Sequence, residues 1–450
     1  MAAELRPVPG RVQPARRIAI IGAGYAGLAC AVELARRGIS VTVFERSLVL
    51  GGRARGVHKD GREFDNGQHI LIGAYSELAR LMRLTGCSPK QLLRLPLTLH
   101  IPGQLIMWAA PLPAPFHLAV GVLMAQGLSW AERLAMLRLM RWLKRHHFQV
   151  PEGITVDGLL ELTAQPAGLC ERIWRPLCVA ALNTPGAEAC AQVFANVLRD
   201  SIAAHAEASA FLLPRVNLSE LFPVPAARFL AIRHGRLHTG NTITGISVEE
   251  EGFRLAGDGQ GQVWDQVVIA TAPYHAAPLL AAVPACTALA GRIQVMAHEP
   301  ILSLYLDYGR AGLLPAPMIG LVDGPVQWAF DRGQITGQES DSGVIACVIS
   351  ASGAYSSMPQ DALLASVHTQ LEKALGCSLP AVRWAQVITE KRATFACRPG
   401  VFRPAMRTPV PGLWLAGDYV DSAYPATLEA AVRSGVACAR AMMQVCGAAD

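Results

Sequence analysis

Charge is scarce in this sequence. Only 16% of its 450 residues are Asp, Glu, Lys or Arg, and 52% are hydrophobic, whereas an average soluble domain carries about 25% charged residues. An apolar substrate, contact with a membrane, or both are therefore the first expectations. A basic tail is also missing. Forty Lys and Arg against 34 Asp and Glu give a formal charge of +6, but the cations are spread along the chain. That is a weak footprint for nucleic acid, and anionic lipid headgroups account for it at least as well.

The eleven cysteines are odd in number and form no C-x-x-C pair or zinc-type spacing, so they read as reduced, mostly buried thiols with no metal site. No apolar run is long enough to span a bilayer, which leaves only peripheral membrane contact. The opening "MAAELRPVPGRVQPARR" lacks the apolar core of a secretory signal. The expectation is a cytoplasmic chain, peripheral on the inner face of the cytoplasmic membrane. Repeats and low-complexity segments are absent too, which argues against disordered linkers.

What is present begins at residue 17. "RIAIIGAG" is a short β-branched strand ending in glycines, "YAGLACAVELARRG" continues with helical periodicity to a stop at Gly38, and "ISVTVFE" is a second buried strand. This βαβ unit carries G-x-G-x-x-G at Gly22, Gly24 and Gly27, between strand and helix as a dinucleotide site requires. Gly22 allows the tight turn, Gly24 lets the backbone approach a pyrophosphate, and Gly27 lets helix pack on strand. Tyr25 and Ala26 complete the loop. Glu45 ends the second strand, about twenty residues on, where a carboxylate accepts ribose hydroxyls, and Arg46 follows it. The fingerprint alone does not choose between NAD and FAD.

"LGGRAR" tilts the choice: Gly51 and Gly52 open a second close-approach loop, and Arg53 can neutralise a phosphate. This stretch resembles the "GGR" element of flavoproteins of the amine oxidase and phytoene desaturase superfamily. "LAGDYVDSAYPATLEAAVRSG" resembles that superfamily's second FAD signature. The resemblance implies FAD, with Gly417 and Asp418 near its ribityl and pyrophosphate. Thr427 and Leu428, at a helix start, would face the pyrimidine edge, where a helix N-terminus stabilises negative charge. Ile243 would touch adenine, although "PVPAARFLAIRHGRLHTGNTITGI" fits the usual strand pair only loosely.

"DNGQHILIGAY" and "WRPLCVAALNTPGAEACAQVFANVLRDS" are more specific. They resemble the hydroxysqualene dehydroxylases, and the likeness runs from roughly residue 16 to 440. It implies reduction of an allylic alcohol, hydroxysqualene, to squalene in hopanoid and squalene biosynthesis, with reduced FAD as hydride donor. NADPH or a reductase would supply the electrons. Such chemistry needs an acid, a dry apolar chamber and a flavin. His69 and Gln68 are the catalytic candidates, since that loop runs beside the flavin in the superfamily. Hydrogen bonding to buried backbone explains the two residues equally well. Asn183 reads as a turn residue or a substrate contact, and Tyr424 as a flavin neighbour or a turn-packing group.

The fold class that follows is α/β: a discontinuous Rossmann-like FAD-binding domain (15–95, 205–285 and 386–450) and a mixed α+β substrate domain (96–204 and 286–385), amine oxidase-like. Residues 96 to 200 read as a helical insertion. Within it Ala135, Leu139, Trp142 and Leu143 share one helical face and Arg138, Arg141 and Arg145 another, the pattern of a cationic amphipathic helix on lipid or of a helix packed on the protein. Two rival functions stay open: a carotenoid-type desaturase, which withdraws hydride, and a non-catalytic isoprenoid carrier like the prenyl-binding GDP-dissociation inhibitors. "GLSWA" lacks the second glycine and preceding strand of a nucleophile elbow. The adjacent His146 and His147 cannot ligate one metal from a single helical face.

Overall fold

The computed structural model describes residues 17–259 and 261–445. The amino-terminal 16 residues, and with them nearly all of the segment that reads as lacking a secretory core, lie outside that range. Ile18–Ile21 is buried on both faces, as its unbroken apolar sequence requires of a central parallel strand. It is flanked by Val41–Glu45 on one side and Gln266–Ile269 on the other. Arg236–Thr239 and Leu413–Leu415 close the two edges, and every pair is parallel. Successive strands leave the first one in opposite directions. This is a topological switch point, where doubly wound sheets bind ligands at the carboxyl ends of their strands.

The helix Tyr25–Arg36 follows the first strand and ends before Gly38, whose φ of +76° favours glycine. The last helix, Leu428–Val445, packs along it. Close approach is possible because position 435 is glycine: a Cβ there would meet the Ala26 carbonyl oxygen at 2.1 Å. The two ends of the chain thus share one core.

A second, antiparallel sheet runs Met318–Gly320, Trp328–Asp331, Val344–Ser350, His298–Asp307, Trp384–Phe395. Alternation divides its faces: Leu302, Leu304 and Leu306 pack with the helix Gln360–Leu375, while Ile301 and Ser303 turn the other way. The domain boundary expected at 386 falls inside the edge strand. Trp384–Phe395 pairs with His298–Asp307 over its length, so the second sheet continues to Phe395. The expected helical layer is present as Phe116–Met124, Trp130–Arg145, Val156–Leu162, Arg175–Leu182 and Ala191–Leu198, but a hairpin, Thr98–Ile101 with Leu105–Trp108, precedes it.

Within Trp130–Arg145 the apolar face is spoken for. Ala135, Leu139 and Leu143 are buried in the core and Trp142 packs against it, so this face is closed to lipid. Arg138 is likewise held by the Thr163 and Ala164 carbonyls. Packing claims the apolar stripe that the periodicity singles out. Among the described residues ten cysteines are free thiols, mostly buried. No His, Cys, Asp and Glu cluster there could hold a metal, and no helix is long and apolar enough to cross a membrane.

Candidate functional site

A single cavity of about 2000 Å³ runs from the carboxyl edge of the parallel sheet, past the antiparallel sheet, into the helical layer. Sites for one small ligand occupy roughly 300–1,000 Å³, so this one has room for a large cofactor and a long substrate together. Gly22, Gly24, Tyr25, Ala26, Glu45, Arg46, Gly52, Arg53, Ile243, Gly417, Asp418, Thr427 and Leu428 all line it, as do Gln68 and His69. Gly27 does not. A Cβ at Gly27 would lie 2.0 Å from the Gly22 carbonyl oxygen, so its service is to helix–strand packing.

At Gly24 the surroundings are different. A Cβ there would meet no protein atom closer than 4.0 Å, and the space beside it is cavity. Glycine at this position is not demanded by the protein's own packing, which is what a backbone approached by a ligand requires. The loop is braced from behind: the Glu45 carboxylate accepts from the amides of Ala23 (2.7 Å) and Ser47 (2.9 Å). Thr271, at the carboxyl end of the neighbouring strand, lines the same region with a buried hydroxyl that has no protein partner. Tyr25 directs its phenol elsewhere, donating to the Leu218 carbonyl at 2.9 Å.

Arg53, expected on a phosphate, instead pairs with Asp418 at 2.5 Å and donates to the Ala393 carbonyl at 2.6 Å. Burial disfavours its charge, but the Asp418 carboxylate more than offsets this and raises its pKa. Arg403 was invisible to motif reading. It lies across the turn before the last helix and donates to the carbonyls of Asp418, Val420, Ser422 and Tyr424 at 2.6–2.8 Å. That clamp, with Thr427 accepting from the Ala430 amide at 3.1 Å, fixes the helix start that faces the cavity.

His69 donates through Nδ1 to the Gly67 carbonyl, 2.7 Å away. Because a carbonyl can only accept, the proton sits on Nδ1 and Nε2 carries the lone pair. Burial, with Arg53 adding to it, pushes the imidazole pKa below its usual value, so the ring is neutral at pH 7. Nearby, Gln68 Oε1 and Ser303 Oγ are buried without a hydrogen-bond partner, and both residues line the cavity. Ser303 lies only 3.4 Å from where a Gly67 Cβ would stand. Its neighbours at this loop come from elsewhere in the chain. Behind the loop, burial raises the Asp65 carboxyl to about 7.

Asp200 is a further group that motif reading passed over. A π-helical turn, Arg199–Ala203, carries it into the cavity wall. It accepts from the Tyr424 hydroxyl at 2.7 Å and from Arg199 at 2.7 and 3.0 Å. Burial opposes its charge, but these partners hold its pKa below the usual carboxylate range. Tyr424 therefore faces the cavity rather than only packing a turn. Asn183 ends its helix at φ +47° and bonds Thr394 Oγ1 (2.9 Å) and the Ala351 amide (2.6 Å), and it too lines the cavity. Toward the helical layer the wall carries Leu99, Met107, Leu118, Met136, Ile173 and Leu177, with Arg141, Lys144 and Arg145 among its charged lining residues.

Comparison with known proteins matches residues 25–443 to the family described as flavin containing amine oxidoreductase. A hydroxysqualene dehydroxylase of Rhodopseudomonas palustris is 29% identical, over 93% of this chain and 96% of that protein. A 15-cis-phytoene desaturase of Glycine max is 23% identical, over 99% of this chain and 82% of that protein. Among solved structures, cyclohexylamine oxidase from Brevibacterium oxydans superimposes with a TM-score of 0.70 at 18% identity, covering 96% of this chain and all of that one.

Proposed function

Since the chain belongs to the flavin containing amine oxidoreductase family and is an FAD-dependent oxidoreductase, we propose that it removes the hydroxyl group of a long allylic alcohol, hydroxysqualene, to leave squalene. The observation that carries this reading is the pair of buried, unpartnered polar atoms, Gln68 Oε1 and Ser303 Oγ, beside His69 in a cavity whose helical part also carries apolar side chains such as Leu118, Met136, Ile173 and Leu177. A purely hydrocarbon substrate would leave both without a hydrogen bond, at a cost of about 1–3 kcal/mol each. An alcohol can both donate and accept, and so serve the pair.

The residues that would hold FAD fit it. The open face of Gly24, the unpartnered Thr271 hydroxyl and the helix start at Leu428 offer a backbone approach, a donor and a positive dipole end. Bound and reduced, FAD supplies the hydride. The chain's own groups do the rest. The carbon–oxygen bond breaks as the oxygen takes a proton and leaves as water, and the carbon gains hydride. His69 would hold that proton at Nε2, with Nδ1 fixed on Gly67 so that the ring cannot turn away. The apolar wall excludes water, which would otherwise trap an allylic cation.

The test is anaerobic single turnover of flavin-reduced protein with hydroxysqualene, read by product mass. Squalene is expected, with Ser303→Ala and Gln68→Leu slowing its formation at unchanged flavin content. The phytoene desaturase similarity favours a second reading. Desaturated product from phytoene with oxidised flavin, and no squalene in the first assay, would overturn the proposal in favour of hydride withdrawal.

A further inference from the structure

The helix Phe116–Met124 is inside out. In water a surface helix buries its apolar side chains and exposes its polar ones. Here the one polar side chain, His117, is 1% exposed with neither ring nitrogen hydrogen-bonded, while Phe116 and Met124 are 63% and 64% exposed. The helix packs on Trp130–Arg145, whose Trp130 and Leu134 are 66% and 60% exposed. Of the fifteen large hydrophobic side chains exposed among the described residues, seven fall between Trp108 and Leu134. Single exposed hydrophobics need no explanation, but a contiguous patch marks a surface that is covered.

The patch has a charged border. Trp130, Leu134, Leu137, Arg141 and Lys144 follow one another at helical spacings of four, three, four and three, so they form a single stripe. It is apolar at its amino-terminal end and cationic at the other, where Arg145 joins it. Arg141, Lys144 and Arg145 are exposed, none is ion-paired with a described residue, and all three also line the cavity. On the inner side of the other helix Pro115, Leu118 and Ala119 line the cavity as well. The exposed patch and the cavity wall are thus two sides of the same two helices, and the cations stand where the cavity meets the surface.

We propose that this surface docks on an anionic phospholipid bilayer, with Phe116, Met124, Trp130 and Leu134 in the headgroup layer and Arg141, Lys144 and Arg145 on lipid phosphates, so that the cavity opens onto the membrane. Charge selects the occupant. A second copy meeting the first face to face would bring the unpaired cations of each together, whereas an anionic surface complements them. Apolar burial and electrostatic attraction add in such contacts. The purpose, uptake of a water-insoluble alcohol, rests on the function proposed above, but docking does not depend on turnover and is measured without it.

The experiment is flotation of the flavin-loaded protein with vesicles of phosphatidylcholine alone or mixed with phosphatidylglycerol. The wild type should float with the anionic vesicles, weakly with the neutral ones, and less as salt rises. Arg141→Gln/Lys144→Gln/Arg145→Gln should lose about tenfold or more in anionic-vesicle binding. Phe116→Ser/Met124→Ser/Trp130→Ser/Leu134→Ser, which replaces no cavity-lining residue, should lose binding to both while keeping its flavin and its turnover of detergent-dispersed substrate. Flotation undiminished in either variant, or absent in the wild type, would overturn the proposal. So would a wild-type dimer that the serine variant converts to monomer, since a second copy would then be what covers the face.

Discussion

Removing one half of the Arg53–Asp418 pair should disturb the protein more than its share of a double removal. The two residues are 365 positions apart in sequence and 2.5 Å apart in space, with side-chain exposures of 27% and 10%. Losing one partner of a fully buried pair costs about 3–5 kcal/mol because the survivor's charge is left uncompensated. Partial exposure lowers that range here. Arg53→Met strands the Asp418 carboxylate, at about 3 kcal/mol. Asp418→Asn leaves Arg53 with the Ala393 carbonyl, so its cost is nearer about 2 kcal/mol. The double variant strands no charge and should fall short of the sum by about 2 kcal/mol. Urea unfolding of flavin-free protein at neutral pH reads all three, with flavin content of the freshly purified proteins as a parallel measure. Additive single effects, within about 0.5 kcal/mol, would refute the claim that this bridge joins the two cofactor-binding ends of the chain.

The two glycines of the fingerprint should separate ligand binding from folding. Gly24→Ala should fold with unchanged urea midpoint yet purify with little flavin, whereas Gly27→Ala, with a Cβ 2.0 Å from a carbonyl oxygen, should fail to give soluble protein. Asp65 offers a stability test. Its folded pKa of about 7 lies above its unfolded value, so the folded state holds the extra proton and stability falls as pH rises from about 4 to 7. Asp65→Asn should remove that slope and gain up to about 4 kcal/mol at pH 8; an unchanged slope in urea titrations would assign it elsewhere. For His69 the lowered pKa means the donor form accumulates only below the usual imidazole range. Single-turnover rates should climb as pH falls beneath about 6.5, and His69→Gln should flatten the profile while retaining flavin.

Much of the nucleotide-binding half is legible in the sequence because its determinants are local. Glycines at fixed spacing, a strand buried on both faces and a terminal carboxylate are each set by a few consecutive residues. The loop at Gln68 and His69 was recognisable as a position, yet what surrounds it was not. Ser303 reaches that loop from a strand more than two hundred residues away, and only the sheet register decides that Ser303 and Ile301 turn toward the cavity while Leu302 and Leu304 turn away. Arg403 carries no motif, since it acts on scattered carbonyls, and Asp200, though it stands in the family-like stretch ending at Ser201, depends on a single π-helical turn to reach the cavity.

The helix Trp130–Arg145 shows where the division lies. Periodicity determined that it has an apolar stripe and a cationic one, since spacing along a helix sets which side chains share a face. It could not determine which neighbour covers each stripe. The tertiary structure packed Ala135, Leu139 and Leu143 into the core and left Trp130, Leu134 and the terminal cations outside. Burial is a property of what the rest of the chain brings alongside, and no local pattern contains it.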